Sequence, residues 1–207
     1  MSMSTLALTL APPRGRAAPR VAFQVACAVA GSALIAGLAQ ISFHLGFTPV
    51  PITGQTLGVL LVGAAYGPEL GAATVLLYLA EAVAGLPVLA ANADGAHFTG
   101  LQVLGLTLGT GGYLWGFVLA AALVGWLARR GWDRSFRSAV SAMLLGEIVI
   151  FAVGVPWLIA SIHVPLEKGL AFGLYPFIVG DVAKLILAAG ALPGAWRLLR
   201  RLRPREG

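Results

Sequence analysis

The sequence predicts an all-α fold, a bundle of six transmembrane helices with both termini in the cytoplasm. Among its 207 residues 58% are hydrophobic and 11% are charged, which is far from the composition of a soluble domain. The mean hydropathy of +0.88 agrees with a membrane protein. A spanning helix needs about 20 mostly apolar residues. The chain offers six such runs, at 21–43, 49–66, 70–91, 108–128, 138–160 and 176–198.

The positions of the cations give the expected orientation. Twelve of the fourteen Lys and Arg residues lie before the first run, between the fourth and fifth, or after the sixth. If the chain crosses six times, these stretches share one side, which is the cytoplasm by the positive-inside rule. The twelve are Arg14, Arg16, Arg20, Arg129, Arg130, Arg134, Arg137, Arg197, Arg200, Arg201, Arg203 and Arg205. The high pI therefore indicates contact with anionic lipid, and it gives no support to nucleic-acid binding.

The chain divides into a single membrane domain with short tails. Residues 1–20 contain three prolines and no continuous apolar stretch before a cleavage-like site, so we expect a disordered basic tail and no signal peptide. Residues 21–200 form the six-helix transmembrane domain, and residues 201–207 form a basic C-terminal tail. Cys27 is the single cysteine, which excludes an intramolecular disulfide and a thiolate metal cluster. No cofactor or metal is expected.

The first apolar run carries a stripe of small residues. Ala22, Ala26 and Ala30 recur at intervals of four, so they share one face of a helix. Small residues at this spacing allow close helix contact. The stripe is either an internal seam or an outward dock for another membrane protein, and the spacing alone favours the seam.

The segment "FTPVPITGQT", residues 47–56, places polar and helix-breaking residues between two apolar runs on the outer side. Pro49 and Pro51 keep the preceding residues out of the helical conformation. Thr53 and Gln55 then lie at the start of the second helix. Non-helical backbone at membrane depth must be buried in protein or line an aqueous cavity. Thr53 therefore either caps the helix or lines a pocket together with Gln55.

The connections on the outer side are longer than those on the inner side. The segment "YGPELG", at 66–71, is a tight inner turn set by Gly67 and Pro68, whereas residues 92–107 and 161–175 form long outer connections. The outer face is thus the elaborated one. In the fourth run, "GTGGYLWGF" at 109–117 spaces its glycines so that a neighbouring helix can approach closely.

The sixth run, with "PFIVGDVAKLIL" at 176–187, carries two charges three residues apart. Asp181 and Lys184 point from the same face of a helix. A charge within the membrane is costly and usually marks a site. The alternative is a structural pair that neutralises itself. Glu81 and Glu147 are further intramembrane carboxylates, and either one is a partner for these charges or a proton carrier.

Four motifs together resemble a known family. "PVPITGQT", "GLPVLA", "GTGGYLWGF" and "PFIVGDVAK" follow the order and spacing of the BioY family, the biotin-binding S components of energy-coupling factor (ECF) transporters. The resemblance spans about residues 21–200. It implies a biotin site near the outer face, built from the helix 1–2 loop, the helix 3–4 loop and helix six. It also implies that the alanine stripe docks the transmembrane coupling protein, which reverses the preference drawn from spacing.

The resemblance implies a transport function without catalysis. The chain would be the substrate-binding subunit of an ECF-type ABC importer for high-affinity biotin uptake in the inner membrane. Its partners would be a transmembrane T protein, two ABC ATPases and membrane lipid. Some members are proposed to work without the full module as homo-oligomers. The alternatives are an S component for another vitamin, or an intramembrane enzyme.

The family motifs also suggest which residues meet the ligand. Asp181 and Lys184 match the polar pair of the helix-six motif, and Asn92 falls where the family often has an Asn. Two positions depart from the pattern: Gly109 replaces a common proline, and Glu81 stands where a small or apolar residue is expected. The full set of expected substrate contacts is Asp181, Lys184, Asn92, Thr53, Gln55, Tyr113 and Phe177, with Val50 and Trp115 as further apolar candidates.

An enzyme would need a nucleophile beside a base. His44, His97 and His163 fall in or beside the outer connections, and Ser161 lies close to His163 in the sequence. The sequence contains no GxSxG elbow and no HExxH helix. Catalysis is therefore the weaker alternative.

Overall fold

The fold consists mainly of helices. The computed structural model describes residues 5–13, 17–105 and 108–202, with the side chain of residue 202 excepted. The helices in chain order are α1 (Leu6–Leu10), α2 (Ala17–Ala39), α3 (Gln55–Tyr66), α4 (Pro68–Val83), a 3-10 turn (Leu101–Leu104), α5 (Gly111–Arg129), α6 (Phe136–Ile162), α7 (Leu166–Gly173) and α8 (Ile178–Leu202). A short hairpin between α2 and α3 pairs β1 (Ser42–Phe43) with β2 (Ile52–Thr53) in antiparallel register.

Four helices in the described part of the chain, α2, α5, α6 and α8, are long and apolar enough to cross a membrane. The prediction of a mostly helical membrane protein is confirmed. The helices α3 and α4 have 12 and 16 residues, which corresponds to about 18 and 24 Å at 1.5 Å per residue. Each of the six predicted apolar runs overlaps one of α2, α3, α4, α5, α6 and α8.

The N-terminal segment differs from the predicted disordered tail. Residues 6–10 form α1, and α2 already begins at Ala17. Leu6 and Ala7 are buried, and Leu6 belongs to the hydrophobic core. The segment is ordered because these apolar side chains pack on the bundle, which its composition did not reveal. At the other end, α8 continues to Leu202. Of the predicted tails, residues 1–4, 14–16 and 203–207 lie outside the described residues.

One predicted boundary is also wrong, and one predicted connection contains a further helix. The third run was expected to continue to residue 91, but α4 ends at Val83. Gly85, with φ of 99°, and Pro87 then turn the chain out of the helix. The connection at 161–175 contains the helix α7. This helix forms because Gly169 and Gly173 are buried and allow the segment to lie close against α6.

Close helix contacts hold α5 at the centre of the bundle. A Cβ atom on Gly116 would lie 3.0 Å from the Cα atom and 3.1 Å from the carbonyl oxygen of Ile150 on α6. On α3, a Cβ atom on Gly63 would lie 2.7 Å from the carbonyl oxygen of Ala121 on α5. The prediction that glycines in "GTGGYLWGF" allow close approach is confirmed. The turn at Gly67, with φ of 87°, joins α3 to α4 as predicted, and Pro68 is the first residue of α4.

A buried polar contact ties the α5–α6 turn to the last part of α8. Asp133 is buried, and the indole Nε1 of Trp196 donates to its Oδ2 at 2.5 Å. The guanidinium of Arg134 lies over the Trp196 ring, 4.3 Å from its centroid. Burial raises the pKa of the Asp133 carboxyl above its ordinary value, and the Trp196 hydrogen bond opposes that rise. The bond thus stabilises a carboxylate that is withdrawn from water.

Trp196→Phe is expected to destabilise the fold by about 1–3 kcal/mol, because it leaves a buried acceptor without its donor. The measurement is the thermal unfolding midpoint of the detergent-purified protein. Trp126→Phe is the matched control, since Trp126 is exposed and contacts Arg130 through its ring face. Equal midpoints for the two variants would contradict a stabilising role for the Trp196–Asp133 bond.

Candidate binding site

A cavity of about 510 Å³ lies among the hairpin after α2, residues 89–98 and 108–110 of the connection between α4 and α5, and parts of α3, α5, α6 and α8. This volume lies within the usual range for small-molecule sites. The cavity is at the end of the bundle where α3 and α5 begin. The basic residues at the end of α5 lie at the opposite end of the same helix.

The most polar part of the cavity wall is formed by α8 and α3. Lys184 Nζ donates to Asp181 Oδ1 at 2.8 Å and to Thr56 Oγ1 at 3.1 Å. Asp181 is only 5% exposed, and its Oδ2 has no hydrogen-bond partner among the described residues. Asp181 lies in the first turn of α8, where the helix dipole favours negative charge. The two charges do form a pair, and both also line the cavity.

The start of α3 contributes a hydrogen-bonded polar group to the wall. Thr53 Oγ1 donates to Gln55 Oε1 at 3.0 Å and accepts from the Gln55 backbone N–H at 3.2 Å. Gln55 Nε2 donates to the Tyr78 hydroxyl at 2.6 Å, and that hydroxyl donates to the Val88 carbonyl at 2.9 Å. Thr53 and Gln55 both line the cavity. The predicted capping role is wrong, because the N-cap residue of α3 is Gly54 and Thr53 precedes it. Thr53 instead bonds Gln55 and lines the cavity.

Two long connections meet above the cavity. Asn92 Oδ1 accepts from the backbone N–H groups of Asp94 and Ala96, at 3.0 and 2.9 Å. Its carbonyl is therefore used by its own turn, and the side-chain NH₂ group is what it can offer to a ligand. His44 Nε2 donates to the Ala91 carbonyl at 2.9 Å. Thr48 Oγ1 donates to the Phe172 carbonyl at 2.7 Å, so the hairpin is fastened to both neighbouring segments.

Aromatic rings form much of the apolar wall. The Tyr113 and Phe151 ring centroids are 6.2 Å apart at nearly perpendicular planes, and those of Phe151 and Phe177 are 6.1 Å apart. The Tyr113 hydroxyl donates to the Gly173 carbonyl at 2.8 Å, which fixes the ring from its polar end. All three rings line the cavity. They offer a rigid apolar surface for a ring-containing ligand.

Comparisons with known proteins identify the family of this chain. The pattern that defines the BioY family matches residues 10–201. The chain belongs to the BioY family. The biotin transporter BioY of Thermotoga maritima is 36% identical over 158 residues, which cover 76% of this chain and 86% of the relative. The biotin transporter BioY of Rhizobium etli is 34% identical over 152 residues, which cover 70% of this chain and 77% of the relative.

A solved structure is also similar. It is the crystal structure of the S-component for biotin from an ECF-type ABC transporter. It superimposes with a TM-score of 0.74 at 29% identity, and the match covers 91% of this chain and 96% of that one. The family resemblance drawn from the four motifs is thus confirmed, and the fold is that of a BioY S component.

The structure brings the expected contact residues of this BioY chain to one cavity. Those that line it are Asp181, Lys184, Asn92, Thr53, Gln55, Tyr113 and Phe177, together with Val50. Trp115 is not among the lining residues, and its indole N–H faces the Leu104 carbonyl at 3.5 Å. The residues missed from the sequence include His44, Thr48 and Phe151. The positions of His44 and Thr48 beside "PVPITGQT" were the available signal, whereas Phe151 gave none.

The remaining candidates lie elsewhere. Ala22, Ala26 and Ala30 are all exposed on α2. The Glu81 carboxylate accepts a hydrogen bond from Ser32 of α2 and is outside the cavity lining. Ser161, the candidate nucleophile, donates its hydroxyl hydrogen to the Leu158 carbonyl at 3.0 Å.

Proposed function

We propose that this chain binds biotin in the described cavity and is the substrate-binding S component of an ECF-type ABC importer for biotin uptake. The observation that carries the proposal is a small-molecule cavity in a chain of the BioY family, whose wall contains the ion pair between the buried Asp181 and the partly buried Lys184. The choice of biotin is supported by the similarity to two biotin transporters and to the S-component for biotin.

The charges near the cavity indicate how biotin would lie. Biotin has a neutral ureido ring, with two N–H donors and a carbonyl acceptor, and a valerate chain that ends in a carboxylate. Lys184 already has a counter-ion, because its Nζ donates to Asp181 Oδ1 at 2.8 Å. A ligand carboxylate at this place would be repelled by the Asp181 carboxylate. The ureido ring suits this wall better, because Asp181 Oδ2 accepts an N–H and Lys184 donates to the ureido carbonyl.

The other parts of biotin would meet the remaining surfaces. The thioether ring and the methylene chain would pack on Tyr113, Phe151 and Phe177. The carboxylate would extend toward the exposed part of the cavity near His44 and Asn92. There it would remain hydrated, so that water screens it from the exposed Asp94, and it would accept from the Asn92 side-chain NH₂ group.

Isothermal titration of purified protein tests the function and the orientation together. We expect biotin to bind, and thiamine and riboflavin not to compete. A biotin analogue blocked at a ureido nitrogen should lose about tenfold or more in affinity, because buried polar groups would be left unpaired. Biotin amidated at its carboxylate should lose less. A larger loss of affinity for amidated biotin than for the ureido-blocked analogue would contradict the orientation. Binding of another vitamin, with no binding of biotin, would contradict the function.

The membrane arrangement is part of the proposal. Six crossings by α2, α3, α4, α5, α6 and α8 place both termini in the cytoplasm of an inner-membrane protein. The basic residues Arg129, Arg130, Arg134 and Arg137 at the α5–α6 turn support this orientation. Although α3 is short, part of the chain just before it is covered by protein, where non-helical backbone is tolerated at membrane depth. Val50 and Thr53 are buried, and Thr48 donates to the Phe172 carbonyl. The cavity would then open to the outside.

Transport would require partners. The exposed alanine stripe on α2, at Ala22, Ala26 and Ala30, supports a dock for the transmembrane T protein, which would connect the chain to two ABC ATPases. Helices in membranes associate through such flat surfaces of small residues. A homo-oligomer that works without the full module is the alternative arrangement.

Ala26→Trp is expected to lower biotin uptake by cells that carry the full transporter by about tenfold or more, because a bulky side chain prevents close helix contact. The Kd for biotin of the purified variant should stay unchanged, since Ala26 is outside the cavity lining. Ala73→Trp, at an exposed alanine of α4, is the matched control. Equal uptake by the two variants would contradict a partner interface at the stripe.

A further inference from the structure

The structure contains a buried carboxyl group behind the cavity wall that the proposed contacts do not use. Glu147 on α6 is 3% exposed and is outside the cavity lining. Its neighbours along α6, Met143, Gly146 and Ile150, are buried apolar or small residues. A carboxyl group at such a position in a membrane protein is costly and seldom retained without a function.

Groups from two other helices act on the Glu147 carboxyl. They are Thr56 of α3 and the charged pair Asp181 and Lys184 of α8. Gly146, the residue before Glu147, packs against Leu60 of α3, one turn along that helix from Thr56, and against Val124 of α5. Glu147 thus lies where α3, α6 and α8 meet, next to the most polar part of the cavity wall.

The hydrogen bonds of Thr56 are incomplete without Glu147. Thr56 Oγ1 accepts from Lys184 Nζ at 3.1 Å. A hydroxyl that accepts on one side still has its own hydrogen to donate. Both oxygens of Glu147 are inaccessible to solvent and have no hydrogen-bond partner of good geometry within the described residues. In the described part of the chain the Thr56 hydroxyl hydrogen thus has no acceptor and the Glu147 oxygens have no donor, although the two side chains are neighbours.

We propose that Glu147 is a positioning residue of the cavity, which accepts the Thr56 hydroxyl hydrogen and so holds Thr56 and Lys184 where the ligand meets them. This inference rests on the proposed function, because the affected ligand contact is that of Lys184. The interaction needs a hydrogen-bond acceptor at position 147 and does not need a charge. We call this chain of two hydrogen bonds, from Lys184 to Thr56 and from Thr56 to Glu147, the relay.

Two replacements of similar size separate an acceptor from a simple filler. Glu147→Gln keeps a carbonyl acceptor, and its Kd for biotin should stay within about threefold of the wild type, whereas Glu147→Met lacks a good acceptor and should bind about tenfold more weakly. The Met variant should unfold at the same or a higher temperature, because an apolar side chain replaces a buried carboxyl group. Weaker binding with undiminished stability is a result that a merely structural role would not give.

A double-mutant cycle tests the path through Thr56. In a Thr56→Val background the relay is already broken, so Glu147→Met should change the Kd by less than about twofold. Glu81→Met is the control, since Glu81 is also an intramembrane carboxylate but bonds to Ser32 away from the cavity. Its Kd should equal that of the wild type.

Three results would overturn the inference. The first is an unchanged Kd in Glu147→Met, and the second is a loss of affinity in Glu147→Gln as large as that in Glu147→Met. The third is a double mutant whose loss of affinity equals the product of the fold-losses of Thr56→Val and Glu147→Met. The same cycle read from unfolding temperatures without biotin should also show coupling between positions 147 and 56. This ligand-free measurement keeps the inference testable if the wild type fails to bind biotin, an outcome that would contradict the proposed function alone.

Discussion

Asp181→Asn is expected to weaken biotin binding at least about tenfold, or 1.4 kcal/mol. The substitution keeps the shape of the side chain but replaces one acceptor oxygen with a donor and removes the charge that holds Lys184 Nζ at 2.8 Å. Lys184→Ala should weaken binding by at least as much, because it also leaves the Asp181 carboxylate buried without its counter-ion. Isothermal titration of the purified variants measures both effects.

The controls for these variants are charged residues outside the cavity. Glu167 and Lys168 lie on α7, and both are exposed and absent from the cavity lining. Glu167→Gln and Lys168→Ala should therefore bind biotin as the wild type does. Unchanged affinity in both Asp181→Asn and Lys184→Ala would remove these residues from the site.

Gly125→Ala is expected to have the largest effect on folding. Gly125 of α5 lies against the turn between α3 and α4, where an added Cβ atom would lie 2.5 Å from the backbone N atom of Pro68 and 2.8 Å from the carbonyl oxygen of Gly63. Backbone atoms cannot move aside as a flexible side chain can. Overpacking of this kind costs about 1–3 kcal/mol or more. The measurement is the unfolding midpoint together with the yield of monodisperse protein.

Gly190→Ala is the matched control for Gly125→Ala. Gly190 is also a helical glycine, on α8, but a Cβ atom there would meet no other atom within 4 Å. Its unfolding midpoint should equal or exceed that of the wild type, because alanine favours the helix over glycine. If Gly125→Ala were as stable as Gly190→Ala, the claim that the contact between α5 and the α3–α4 turn leaves no room for a Cβ atom at position 125 would be wrong.

The sequence predicted those site residues whose effect on free energy or on backbone conformation depends only on the residue and its immediate neighbours. Asp181 and Lys184 stand out because charge in an apolar run is unfavourable wherever the helix packs. Pro49 and Pro51 interrupt the helix through their own backbone restrictions, and α3 accordingly begins at Gln55. Such features depend on the residue and its immediate neighbours, so they can be read before the fold is known.

Features that depend on distant neighbours could not be predicted. The helices α1 and α7 form because Leu6 and Gly173 pack against the bundle, which short segments of mixed composition do not reveal. Phe151 is one of many aromatic and aliphatic residues in apolar runs, and only the fold places it between Tyr113 and Phe177.

Glu81 and Glu147 illustrate the same limit with one residue type. Both are carboxylates in apolar runs, and their spacing did not distinguish their roles. In the structure Glu81 is bonded to Ser32 at the contact between α2 and α4. Glu147 instead is buried on α6 behind the cavity wall, and its oxygens have no hydrogen-bond partner among the described residues. The helix packed against each carboxylate determines what it can do.

The most direct test of the central claim is an experimental structure of the purified protein with bound biotin. We predict ligand density inside the cavity, with the ureido ring within hydrogen-bonding distance of Asp181 and Lys184 and the valerate chain toward Asn92. Density for biotin at another place on the protein, or an empty cavity at saturating biotin, would contradict the claim.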